Sequence, residues 1–224
     1  MRKLKILIVC LVTFYSLSAQ SEGDTTVNFE YGKEYFPFND SRELIFESNV
    51  GETQTIVEVN DSLFKVTNIS DKFVYSQTFI RKDDGIYLIK TEQDISTFLY
   101  STEVIVTYSK PVLQFPHSLK IGDTWEWSGY QVKNGDTTSI SISGEALAED
   151  SVDLPAGKFN TLHIKLFFDE VDGEKTSLDQ WFAPGLGAVK TKVVIEGTGI
   201  IQFAMSLLGY DEIDSELKEV IYRE

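Results

Sequence analysis

Alternation with a period of two constrains this chain more than any other feature. In 137–146 (TTSISISGEA), Ile140 and Ile142 point one way while Ser139, Ser141 and Ser143 point the other. In 159–168 (FNTLHIKLFF), Leu162, Ile164, Leu166 and Phe168 share one face. In 188–197 (AVKTKVVIEG), Val189, Thr191, Val193 and Ile195 lie opposite Lys190, Lys192 and Glu196. A half-buried strand has this period and a helix does not. Further strand candidates are 43–48, 53–60, 63–68, 73–80, 85–91, 103–108, 124–131 and 217–223. Asn134-Gly135-Asp136 and the segments 82–85 and 171–174 carry hairpin chemistry, because Gly and Asn tolerate positive φ. The pattern predicts an all-β, mainly antiparallel fold: one curved sheet, a partly open barrel or a sandwich. Helix is scarce. Only 200–210 leans towards it, through its Ala, Met and Leu content, and 95–100 is ambiguous.

Two stretches resemble each other. YSQTFIRKDDGIYLIK (75–90) and SLDQWFAPGLGAVKTK (177–192) each run Gln, Phe, a Gly-containing turn, then an alternating strand ending in Lys. Each half also places a Phe-Pro, at 36–37 and 115–116, before a turn and an alternating strand. Two readings stay open: related halves, about 31–110 and 111–224, or chance likeness between hairpins built from a small alphabet. Either way one continuous sheet over 21–224 is expected, because no linker divides the chain.

The first twenty residues, MRKLKILIVCLVTFYSLSAQ, read as a secretory signal peptide: a basic start, a short apolar run, then small residues, with cleavage near Ser18–Gln20. The lone Cys10 follows Val9 inside the apolar run, which argues against lipid attachment there. Its loss with the leader removes disulfide and thiol chemistry from the mature chain. The expected location is the periplasm or the cell exterior. Net charge is −15, and losing the leader's three basic residues takes it to −18. That argues against nucleic acid and against docking on anionic lipid heads. No later run is long and apolar enough for a transmembrane helix.

Catalytic signals are weak. His117 and His163 are the two histidines. His163 falls on the polar face of its strand, so a solvent-facing residue is expected; His117 follows Phe115-Pro116 in a loop. They are not spaced as a zinc pair, and no G-x-S-x-G is present. DEVDGE (169–174) lacks calcium-loop ligands because Val171 occupies a ligand position. PAGKF (155–159) lacks the other residues of a phosphate loop. Glu126 between Trp125 and Trp127 is the most suggestive carboxylate; paired rings could stack on a sugar, or simply pack in the core. No metal and no cofactor is expected.

Three segments in order, GDTWEWSG (122–129), SVDLPAGKFNTLHIKL (151–166) and SLDQWFAPGLGAVKTK (177–192), resemble the TapB-like group of exported bacterial domains of unknown function, typical of Bacteroidota. The likeness covers about 120–195. It implies an antiparallel β fold and export, and brings no catalytic residue. At fold level it is similar to half-open barrels of periplasmic lipoprotein carriers such as LolA, where a curved sheet holds an acyl chain.

The expectation is then a non-enzymatic binding module for an apolar or amphipathic partner, a lipid or an envelope protein. The motivation is the aromatic content of 15 Phe, 10 Tyr and 3 Trp. Trp125, Trp127, Phe167, Trp181 and Phe182 are the candidate lining residues. Trp181 and Phe182 are neighbours on a strand, so at most one can face the core. A structural protein of the envelope is the alternative reading, and a carboxylate-based hydrolase a more distant one.

Overall fold

A computed structural model describes residues 31–71, 73–96, 101–170, 175–196 and 212–223. The strands are β1 (Arg42–Ser48), β2 (Gly51–Asn60), β3 (Leu63–Ile69), β4 (Phe73–Lys82), β5 (Gly85–Ser96), β6 (Ser101–Pro116), β7 (Thr124–Lys133), β8 (Asp136–Leu154), β9 (Gly157–Glu170), β10 (Lys175–Ala183), β11 (Gly187–Glu196) and β12 (Glu212–Tyr222). Each pairs antiparallel with its sequence neighbour, and β1 pairs with β12 to close a twelve-stranded barrel. Closure gives every strand a neighbour on both sides, although β6 and β7 pair over only three residues. Among the described residues the only helix is a single 3-10 turn, Lys33–Tyr35. The expected leader 1–20, the 200–210 segment and the 171–174 turn lie outside the described residues.

The alternation decides which wall is which. Ile140, Ile142, Leu162, Ile164 and Leu166 are buried, whereas Ser139, Ser141, Ser143 and Glu145 are exposed. The outer wall carries ion pairs, among them Lys190–Glu216 at 2.6 Å and Lys192–Glu212 at 2.8 Å. This is the inverse of a membrane barrel, which is apolar outside and polar within. No helix of the described residues is long and apolar enough to cross a membrane.

Strands of both expected halves build one ring, with the expected boundary near 110 falling inside β6. The two similar hairpins become β4–β5 and β10–β11, six strands apart in a ring of twelve. Both carry a register shift at the same place, Thr78/Phe79 and Trp181/Phe182. Phe79 and Phe182 therefore enter the barrel from opposite walls, and Phe36 lies 5.5 Å from each ring. In the β10–β11 hairpin, Gly185 and Gly187 have φ of 74° and 90°, as a tight turn from Pro184 to Leu186 requires.

Two strands run longer than alternation predicts. β6 passes through Pro111 to Pro116, and β8 continues to Leu154. Proline normally breaks a central strand because it lacks a donor. Here β6 pairs with β7 only from Val106 to Tyr108 and has left it before Pro111. On the other side, the β5 register skips from Leu88–Val112 to Lys90–Thr107, so Pro111 occupies a bulge.

Candidate functional site

An eight-stranded barrel is nearly filled by its own side chains, and a twelve-stranded one leaves room. One end of that room is plugged. The residues before β1 enter it: Phe36 packs against Phe79, Phe115 and Phe182, and Phe38 stacks on Phe64 at 3.9 Å. Backbone contacts hold this segment, with the Gly185 N–H donating to Glu34 O at 2.6 Å and Leu119 N–H donating to Tyr31 O at 3.1 Å. The Arg42 guanidinium donates to the Gly185 and Leu186 carbonyls at 2.5 and 3.1 Å.

Beyond the plug lies a cavity of about 450 Å³. Its walls are mainly apolar along their length, from Leu88 and Leu178 to Ile140 beside Glu170, with glutamines set among them at Gln77, Gln93, Gln131 and Gln180. Among the described lining residues one cation, Lys133, and one carboxylate, Glu170, stand at the strand ends away from the plug. Tyr75 and Tyr108 also face the cavity. Burial is the largest cause of the rise in both phenols, and Tyr108, with Glu170 nearby, is pushed up to about 12. The side-chain amide nitrogens of Gln114 and Gln131 are buried without a hydrogen-bond partner.

The five candidate aromatics take different positions. Phe182 lines the cavity and is 3% exposed. Its neighbour Trp181 is on the outer wall, where its Nε1–H donates to Asp150 at 3.0 Å. Phe167 is also outside, 38% exposed. Trp125 and Trp127 are not among the residues lining the cavity. They close the seam where β6 and β7 part. Trp127 Nε1–H donates to Pro111 O at 3.1 Å and Trp125 Nε1–H to Leu113 O at 3.2 Å. Indole donors thus replace a missing backbone ladder. Gly144, paired with Trp125, makes space for it: a Cβ there would stand 2.1 Å from the indole. Glu126 is exposed between the two rings.

His163 differs from the solvent-facing position expected of it. It points outward, but its ring stacks on Trp181 at 4.3 Å and its side chain is 16% exposed. Nε2 lies 2.9 Å from Asp179 and Nδ1 3.4 Å from Asp150. The cause is the register, which sets Trp181 directly opposite His163. His117 sits at the plugged end, its Nδ1 3.0 Å from Asp83 O. The segment around Pro155-Ala156 is the β8–β9 turn; its tip bonds to β12 through Ala156 N–H and Leu217 O at 3.1 Å. No group of three or more His, Cys, Asp or Glu among the described residues is placed to hold a metal. Sequence reading missed Phe36, Gln114 and Gln131. Gln131 was detectable: it shares the inward parity of Trp125 and Trp127, where a glutamine is out of place.

No protein-family model and no curated protein matches the chain. Similar solved structures include a candidate lipoprotein of Parabacteroides distasonis, 13% identical, covering 86% of this chain and 100% of its own, with a TM-score of 0.43. The hypothetical lipoprotein YmcC of Escherichia coli is 7% identical over 83% of this chain and 86% of its own, at a TM-score of 0.41. A candidate exported protein with a YmcC-like fold from Bacteroides fragilis is 11% identical over 86% of this chain and 99% of its own, at 0.39.

Proposed function

We propose that this is an exported, non-enzymatic binding protein that holds a small apolar or amphipathic ligand inside its barrel. The observation that carries the reading is the cavity of about 450 Å³, mainly apolar and studded with a few polar groups. Ligand sites have this volume, roughly 300–1,000 Å³, and this mixture of apolar wall and few polar groups. The charged outer wall suits a barrel surrounded by water. Export rests on the leader-like first twenty residues. A glycosidase-type pair of carboxylates is not what lines the cavity, since Glu170 is the single carboxylate among its described lining residues.

Native mass spectrometry of protein purified from the envelope fraction of its own cells tests the reading. A copurifying small molecule, displaced by the fluorophore 1-N-phenylnaphthylamine, is the expected result. A bare protein mass, with no fluorescence enhancement when that probe is added, refutes it.

A further inference from the structure

Gln131 is 4% exposed and Gln114 is 8% exposed; both line the cavity, and each has an amide Nε2 with no partner. Gln131 lies opposite Tyr108 at the last β6–β7 pair, and Gln114 lies six residues along β6 towards the plugged end. A buried donor without an acceptor is costly, and an oxygen brought by a ligand removes that cost. A pure hydrocarbon would fill the apolar part of the cavity but leave both amides unpaired.

The charge of the site constrains the oxygen. Among the described lining residues Lys133 is balanced by Glu170, and Lys133 already has an interaction partner. An entering carboxylate would be desolvated with no new cation to meet it, which is strongly unfavourable. Tyr108 stays protonated beside Glu170 and adds a neutral surface.

We propose that the ligand is an uncharged amphiphile of the acyl ester or acyl amide class, whose oxygens accept hydrogen bonds from Gln131 and Gln114 while its chain lies against Leu88, Leu178 and Phe182. This rests on the binding reading above. A site built to donate to an oxygen discriminates strongly against the analogue that lacks it.

The test uses the full mature chain loaded with 1-N-phenylnaphthylamine. Monodecanoylglycerol, decanoate and decane compete for it. The ester is expected to displace the probe about tenfold more tightly than either of the others, the worth of one well-made buried hydrogen bond. Gln131→Leu and Gln114→Leu are each expected to cut that preference to about threefold or less and leave decane unchanged. Decane level with the ester in the wild type overturns the proposal, as does decanoate ahead of the ester. An unaltered ranking in both variants overturns it too. Should a variant fail to fold by circular dichroism, the wild-type ranking decides. A wild-type barrel that takes up no probe at all defeats the binding reading itself, a different outcome from uptake without preference for the ester.

Discussion

Replacing Trp127 by Phe separates a seam residue from a ligand surface. The β6–β7 ladder spans only Val106–Lys133, Thr107–Val132 and Tyr108–Gln131. Beyond it, the Trp127 indole, 8% exposed, bonds to Pro111 O and meets Tyr108 edge-on at 6.0 Å. Phenylalanine keeps most of the ring packing and deletes the donor. Pro111 is half-buried, so its carbonyl is partly rehydrated, and the lost bond costs about 1–2 kcal/mol. The smaller ring gives up roughly another 1 kcal/mol of buried apolar surface. The expected loss is therefore about 2–3 kcal/mol in urea denaturation, or a fall of roughly 5–10 °C in Tm for a domain of this size. Hydrogen exchange should quicken first in β6 and β7, where the seam opens. Probe affinity should hold, because Trp127 does not line the cavity. A variant as stable as the wild type but unable to hold the probe refutes this assignment and returns Trp127 to the ligand.

Three further outcomes are expected. Gly144→Ala sets a Cβ 2.1 Å from the Trp125 indole and should cost about 1–3 kcal/mol in urea denaturation, with the loss shrinking in a Trp125→Leu background. Trp181→Leu should leave probe affinity unchanged, as Trp181 lies on the outer wall; a clear loss of binding would put the ligand there instead. Burial, then Glu170, holds the Tyr108 phenol up to about 12, above the value near 10 of an unfolded chain. The stability this contributes is whole below about pH 10 and is lost as pH climbs towards about 12, so Tm should fall over that window and fall less steeply in Tyr108→Phe. Equal slopes in the two proteins would count against it.

Much of the ring was legible because alternation is a local property. Ile140 and Ile142 against Ser139 and Ser141 declare two unlike faces whatever surrounds them, and Asn134-Gly135 declares a turn. The exclusion between Trp181 and Phe182 follows from the same pleat, which sends neighbours to opposite sides. The site was less legible. Trp125 and Trp127 share a parity with cavity-lining Gln131, yet their rings are drawn to the carbonyls of Pro111 and Leu113, because β6 leaves β7 one turn of the ladder earlier. No local pattern reports where two strands part.

The chain's own order of residues determined that strands form, where hairpins turn, and which side chains share a face. Each of these depends on a few neighbouring residues and on backbone sterics. Closure of β1 on β12, the entry of Phe36 between Phe79 and Phe182, and the space left beyond them were decided only by tertiary structure. They depend on strand number and register summed around a full ring, which brings together residues more than a hundred positions apart. The stretch 179–192 belongs to both accounts: its turn and its alternation are local, while the choice of Phe182 for the interior and Trp181 for the outer wall came with the closing of the barrel.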